Sequence, residues 1–230
     1  PGSKLLVSVE VPNAWFEMLL AVCVGVVIGV LTGFMVAKLG MPSFVVTLAL
    51  FISWQGVILQ LIGDGGTLGL RNPVLVAVAN GSMSTAGSWL LFLVSAGGYA
   101  AVLLNRQFRR RRLGLVAQPT GLVLIKIGTV VLLAAVITFL LTLDRSPGLI
   151  RIAGVPYVVP ILLAILVAGT YLLDRTRFGR HVYAVGGNRE AARRAGINVV
   201  RIRATVFVIS SALAAIGAII YSSKVGSVSP

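Results

Sequence analysis

The chain has 230 residues, of which 57% are hydrophobic and 11% are charged, and its formal net charge is +14. Soluble domains carry roughly 25% charged residues. A soluble fold of this length could not bury so much apolar surface, so the composition predicts an integral membrane protein. A nucleic-acid partner is excluded, because the basic residues lie between long apolar runs and form no basic face. The single Cys23 excludes an intrachain disulfide, and the isolated His181 gives no metal site.

Six apolar stretches have the length, or nearly the length, of about 20 residues that a spanning helix needs. They are Trp15–Ala37, Phe44–Ile62, Ser88–Leu104, Gly121–Leu143, Tyr157–Leu173 and Ala204–Ser222. Within the long polar connection 63–87, the apolar run Val74–Ala79 is a candidate for contact with the membrane interface. We therefore predict an all-α polytopic helix bundle. Residues 1–230 are expected to be part of one transmembrane domain that continues beyond both ends.

Basic residues are distributed unequally between the two predicted sides. The connections 38–43, 105–120 and 174–203 hold fourteen Lys and Arg residues, against five on the opposite side. Because cytoplasmic loops carry the excess of Lys and Arg, these three connections are predicted to be cytoplasmic. Six crossings then put both ends of the chain outside. Four positions mark the two sides: Gly114 and Arg193 inside, Gly66 and Gly148 outside.

The run RQFRRRR (Arg106–Arg112) contains five arginines in seven positions. It can be explained as a topology signal, since such residues hold a loop on the cytoplasmic side. It can also be explained as a binding site for anionic lipid headgroups, at ~1 kcal/mol per basic residue near the surface. Both explanations remain open at this point.

Three glycines recur at intervals of four in the first span: Gly25, Gly29 and Gly33. They lie on one helix face and leave room for a second backbone to approach. In lipid, such faces of small residues favour close helix packing through van der Waals contact. The spacing therefore predicts a packing face and not a binding site.

A stripe of polar and aromatic residues follows one face of the second span: Thr47, Phe51, Trp54, Gln55 and Ile58. An amide facing lipid is costly, so Gln55 is expected to face the protein interior or a water-filled path. An aromatic ring beside hydroxyl and amide groups suits a sugar. The alternative is helix packing with one interhelical hydrogen bond, and both remain open.

The stretch GGNREAARRAG (Gly186–Gly196) predicts a short polar helix between the last two spans. Asn188 is a good N-cap, because its side-chain oxygen can accept a hydrogen bond from the first free amides. Gly196 suits the position after the helix, where the backbone takes a positive φ. Glu190 is expected to interact favourably with the helix dipole and to pair with Arg194 at i+4.

The same short helix has a face of small residues, formed by Ala191, Ala192 and Ala195. Such a face is expected to allow close contact with a partner. The alternative is a solvated connector, but a connector needs neither two capped ends nor an alanine patch. The sequence therefore favours a contact site on the cytoplasmic side.

Catalytic motifs are missing from the sequence. It contains no GxxxxGK[ST] loop for ATP, no converging nucleophile and base, and no paired carboxylates. An ion-coupled secondary transporter usually needs an acid within a span or broken helices at the midplane. No acid lies in the middle of a predicted span, so we expect a non-catalytic subunit. The secondary transporter is the alternative hypothesis, and an integral membrane enzyme is a third.

Two blocks of the sequence resemble the inner-membrane permeases of bacterial ABC importers for simple sugars, the ribose, galactose and xylose group. They are MPSFVVTLALFISWQG (Met41–Gly56) and DRTRFGRHVYAVGGNREAARRAGINVVRIR, which is followed by a span and SSKVGSVSP. The segment from about Ser82 to Ile150 is longer than in the ribose type and is more like the xylose-type branch. The chain also contains a pattern similar to the EAA signature of ABC importers: Glu190-Ala-Ala is followed by three residues and then by Gly196.

The resemblance implies a bacterial inner-membrane permease that imports a simple sugar. It implies that the 188–196 helix is the coupling helix, which docks on a separate ATPase subunit where Mg-ATP is bound. The resemblance implies coupling roles for Glu190, Ala191, Ala192 and Gly196, and the analysis of the helix ends adds Asn188 and Arg194 to the expected coupling residues. The other implied partners are an extracytoplasmic sugar-binding protein and a second copy of the permease, surrounded by membrane lipid.

Overall fold

The computed structural model describes residues 13–62, 68–69, 73–114, 119–143 and 154–228. Two of the topology markers, Gly66 and Gly148, lie outside these residues. The described elements are α1 (Ala14–Gly33) with a π-helical turn (Phe34–Lys38), α2 (Ser43–Ile62), β1 (Leu68–Gly69), α3 (Pro73–Asn80), α4 (Thr85–Arg112), α5 (Thr120–Thr142), α6 (Val158–Arg175), α7 (Arg177–Gly187), α8 (Arg189–Arg194), α9 (Val199–Val225) and β2 (Ser227–Val228).

Six helices in the described part of the chain have the length and apolar composition of membrane spans. They are α1 with its π-helical turn, α2, α4, α5, α6 and α9. This confirms the predicted all-α polytopic fold. The only described strands, β1 and β2, form one short antiparallel ladder in which Leu68 pairs with Val228.

The basic run is helical, so the third spanning helix continues beyond Leu104, where the predicted span ends. α4 continues through this run and ends at Arg112. Arginine is a strong helix former, and the four arginines of the last turn interact favourably with the negative end of the helix dipole. Polar side chains therefore end the apolar part of the span without ending the helix.

The sixth span begins earlier than predicted, at Val199 instead of Ala204. The side-chain oxygen of Asn198 accepts a hydrogen bond from the Arg201 amide at 2.9 Å, which fixes the start of α9. The apolar run in the connection 63–87 also forms a helix, α3.

The described residues fall into two compact units, one up to Asn80 and from Leu162 onward, the other Gly81–Ile161. In the first unit, α1 packs along α9 through its glycines. A Cβ placed on Gly29 would lie 2.8 Å from the Cα of Val208. A Cβ on Gly33 would lie 3.0 Å from the Cα of Ala204. The two helices therefore approach backbone to backbone.

The end of α9 also holds α3 in the first unit. The fully buried hydroxyl of Ser223 accepts a hydrogen bond from the Ala79 amide at 2.9 Å and donates one to the carbonyl of Leu75 at 2.5 Å. The Asn80 side-chain amide donates to the Ser223 carbonyl at 2.8 Å. These bonds join α3 to the last turn of α9.

In the second unit, the chain after α5 returns to the start of α4. The Met83 amide donates to the Val155 carbonyl at 2.9 Å, and the Val155 amide donates to the buried hydroxyl of Ser88 at 3.0 Å. Gly154 has φ +117°, and a Cβ there would lie 1.9 Å from the carbonyl oxygen of Met83. Only glycine fits this close approach.

Candidate functional site

The connection between α6 and α9 is built from two helices, α7 and α8. The hydroxyl of Thr176 caps α7 by accepting a hydrogen bond from the Gly179 amide at 3.2 Å, and it donates to the carbonyl of Leu172 in α6. A Cβ on Gly179 would lie 1.9 Å from the carbonyl oxygen of Leu173. The chain therefore reverses from α6 into α7 around a glycine that has no room for a side chain.

The sequence analysis missed α7 and the role of Gly179. A signal was present: Phe178, Val182 and Val185 recur at i, i+4 and i+7 after the capping Thr176. All three side chains are half-buried, whereas Arg177, Arg180 and His181 are exposed. The amphipathic α7 thus leads the chain from the span into α8.

The predicted caps of α8 are confirmed. The side-chain oxygen of Asn188 accepts a hydrogen bond from the Ala191 amide at 2.9 Å. At the other end, Gly196 has φ +81°, and its amide donates to the Arg193 carbonyl at 3.0 Å. The Ile197 amide donates to the Ala192 carbonyl at 3.1 Å, which completes a Schellman ending.

The exposed surface of α8 differs from the predicted alanine face. Ala192 is only 4% exposed, so it packs inside the chain and anchors the helix. Ala191, Glu190 and Arg194 are exposed. Among the described residues Glu190 and Arg194 form no ion pair, so that part of the prediction is wrong. A charged pair on a solvated surface contributes little, and both side chains remain accessible to a partner.

The predicted sugar stripe lies on an uncovered part of α2. Thr47, Phe51, Trp54 and Gln55 are all exposed, and the structure does not bring them against the other predicted site residues. The Thr47 hydroxyl donates to the Ser43 carbonyl of its own helix at 2.9 Å. The interpretation of this stripe as a substrate path stays a prediction.

A groove of about 480 Å³ between α1 and α9 was not predicted. Its polar lining residues are Glu17, Ser211 and Ser222, and the remainder of its lining is apolar, half of it alanine or glycine. A sugar needs a polar rim of hydrogen-bonding groups, so this groove suits apolar packing better than sugar binding.

Exchanging Gly179 for alanine is expected to destabilise the protein, because the added Cβ would overlap a backbone carbonyl and the turn from α6 into α7 would have to open. Gly186→Ala is the matched control. It lies in the same helix with no atom within 4 Å of its Cβ position, and removing a helical glycine stabilises by about 0.5–1 kcal/mol. Thermal unfolding of the two purified variants tests this: a lower Tm for Gly179→Ala and an equal or higher Tm for Gly186→Ala. Equal Tm values for both variants would contradict the close approach.

Six helices of spanning length and apolar composition make the chain a multi-pass membrane protein. Residues 3–230 match the family model described as branched-chain amino acid transport system / permease component, so the chain belongs to this permease family, and its location is the inner membrane.

The chain is 33% identical to the xylose transport system permease protein of Escherichia coli over 221 residues, which cover 93% of this chain and 52% of that protein. It is 32% identical to the corresponding Haemophilus influenzae protein over 209 residues, 91% of this chain and 53% of that protein. A shorter match is to the ribose import permease protein of Escherichia coli. The two chains are 40% identical over 83 residues, which cover 36% of this chain and 26% of that protein. No solved structure matches significantly.

The chain spans about half the length of the xylose permeases that it matches. These relatives are named as permease components of transport systems and not as enzymes. The resemblance to sugar-importer permeases, and to the xylose-type branch in particular, is confirmed.

Proposed function

We propose that the chain forms part of the membrane path of an ATP-driven importer for a simple sugar, and that the sugar is a pentose such as xylose or ribose. The observation that carries this proposal is the match to xylose permeases across 93% of the chain. The match includes the predicted third and fourth spans and the basic run, so it extends well beyond the short EAA motif.

The proposed contact with the ATPase is α8 with its caps, Asn188–Gly196. A helix that transmits movement has to be rigid, and both ends of α8 are fixed by hydrogen bonds. It also needs an accessible surface, which Glu190, Ala191 and Arg194 provide. Ala192 contributes from inside, by holding the helix against the chain. Mg-ATP would be bound by the partner subunit and not by this chain.

The remaining proposed partners are an extracytoplasmic sugar-binding protein, a second permease copy and membrane lipid. Large apolar side chains on the spans are widely exposed, among them Phe44, Leu132 and Val167. Water cannot surround such surfaces, so lipid or further helices must cover them. A homodimer would cover part of this surface and would form the path between the two copies.

An ion-coupled secondary transporter is the competing proposal. That class usually carries an acid within the membrane. Glu17 lies in the first turn of α1, Asp174 lies near the end of α6, and Glu190 lies in α8, so none of the three described acids lies in the middle of a span. Uptake that continues without the ATPase subunit and stops with a protonophore would favour the secondary transporter.

Uptake of labelled solutes tests the proposed substrate class. Cells with the gene are expected to take up xylose or ribose faster than cells without it, whereas hexose uptake changes less. Labelled leucine is the necessary comparison, because the family description names branched-chain amino acids. Leucine uptake that depends on the gene, without any pentose uptake, would overturn the sugar proposal.

Substitutions in the α2 stripe test the substrate path. Gln55→Leu and Trp54→Ala are each expected to reduce uptake about tenfold, since one lost hydrogen bond or stacking contact to the sugar is worth about 1.4 kcal/mol. Co-purification with the ATPase should not change. Gln60→Leu is the matched control, because it lies on the opposite side of the same helix and should transport normally. Normal uptake by both stripe variants would contradict the substrate path and would leave helix packing as the role of the stripe.

A further inference from the structure

A small basic groove lies between the end of α4 and the start of α5. Its volume is about 190 Å³, and it is lined by Leu103, Arg106, Gln107, Arg110, Val123 and Lys126. Gln107 and Val123 are buried and form its floor. The two helix ends are held together by a hydrogen bond of 2.5 Å from the Arg111 guanidinium to the Thr120 hydroxyl. The packing of α4 against α5 therefore fixes the shape of the groove.

Three cations surround the groove, and the described residues of the second unit include no acid that could balance their charge. Arg106 and Arg110 lie one turn apart on α4, and Lys126 lies across from them on α5. Asp144 is the only acid in the sequence between Gly81 and Ile161. It lies outside the described residues, eighteen positions after Lys126 in the sequence. Among the described residues, none of the three cations forms an ion pair.

Lys126 places a charge inside the spanning helix α5, less than two turns from its start. Lys126 is the only charged residue of α5, and it lies six positions after Thr120, about 9 Å along the helix. A charge this far into a span is costly unless it reaches the interface or finds a partner of opposite charge. The neighbouring Leu122 and Ile125 are 52% and 65% exposed, so apolar surface adjoins the groove.

We propose that this groove binds the phosphate of an anionic phospholipid. The guanidinium groups of Arg106 and Arg110 and the ammonium group of Lys126 supply charge-assisted hydrogen bonds to the phosphate oxygens. The acyl chains then lie along the exposed apolar surface of α4 and α5. The three cations favour a phosphate group as the ligand. The exposed apolar surface beside the groove favours a phosphate that belongs to a lipid over a free phosphate ion. The proposal does not depend on which solute the permease transports.

The test compares two double variants of the full permease that remove the same charge. Arg106→Gln with Lys126→Gln removes cations from the groove, whereas Arg109→Gln with Arg112→Gln removes cations that do not line it. The measurement is the association of spin-labelled phosphatidylglycerol, relative to spin-labelled phosphatidylcholine, with the reconstituted protein. The groove variant is expected to lose about fivefold in preference for phosphatidylglycerol per removed cation. The control should lose much less.

Lys126→Arg gives a second measurement that does not remove charge, and it should keep the preference for phosphatidylglycerol. Equal losses in the two double variants would overturn the proposal, because the attraction would then be a diffuse property of the basic run. Absence of any preference in the unmodified protein would also overturn it. Millimolar inorganic phosphate should not displace the lipid. Displacement would identify a site for free phosphate and would contradict the lipid assignment.

Discussion

Replacing Gly29 by leucine is expected to force α1 away from α9 and to prevent assembly of the permease. A Cβ at this position would lie 2.8 Å from the Cα of Val208 and 3.1 Å from the carbonyl oxygen of Phe207. Both atoms belong to the backbone, so the neighbour cannot yield by rotating a side chain. Overpacking costs about 1–3 kcal/mol where side chains can adjust, and we expect an effect at or above the upper end of this range.

Two further variants make the packing test specific. Gly29→Ala adds only the Cβ and should give a smaller loss of the same kind. Gly217→Leu lies on α9 with no atom within 4 Å of its Cβ position, and it should assemble normally. The readout is the yield of monodisperse permease after detergent extraction, together with its thermal unfolding. Normal assembly of Gly29→Leu would show that α1 and α9 do not meet at this face.

Replacing Gly196 by valine is expected to abolish sugar-stimulated ATP hydrolysis and sugar uptake together, while leaving membrane insertion intact. Gly196 has φ +81°, and no atom lies within 4 Å of its Cβ position, so the effect comes from the backbone and not from a clash. A left-handed conformation costs roughly 1–2 kcal/mol for an ordinary residue, and more for a β-branched one. The ending of α8 would open, and sugar-stimulated ATP hydrolysis and uptake should fall together.

The controls for Gly196 separate backbone strain from side-chain size. Asparagine tolerates the left-handed conformation, so Gly196→Asn should keep most of the coupled activity. Glu190→Lys reverses an exposed charge in the first turn of α8 and should also impair coupling, whereas Glu190→Gln should impair it less. If Gly196→Val lowers only the thermal stability while transport remains fully coupled, α8 is a connector.

The features that the sequence predicts well are those fixed by local chemistry. The caps of α8 follow from the preference of asparagine for the N-cap and of glycine for a positive φ, and neither depends on distant residues. The three glycines of α1 are similar: their spacing defines one face before the partner helix is known. The existence of the six spans is predictable for the same reason, because it depends only on the length of each apolar stretch.

The features that the sequence analysis missed depend on three-dimensional contacts or on mixed signals. Gly179 is required by the carbonyl of Leu173, six residues earlier in α6, and no spacing pattern in the sequence reveals this close approach. The end of α4 was missed because two signals conflict in the basic run. The apolar stretch stops before it, which ends the predicted span, but arginine favours a helix, so the helix continues. The orientation of the α2 stripe is set by whatever covers it, and the described residues leave it exposed. The spacing of the polar and aromatic residues could identify this face of α2, but it could not identify which molecule or helix contacts the face.

The most direct test of the central claim, that α8 is the contact with the ATPase, is photo-crosslinking in the assembled transporter. A photoreactive residue at Ala191, an exposed position of α8, is expected to link the permease to the ATPase subunit, and the yield should change when ATP is added. The same residue at Leu113, which is 67% exposed and lies in the predicted cytoplasmic connection 105–120, is the control and should link weakly. A strong ATPase link from Leu113 with none from Ala191 would contradict the account.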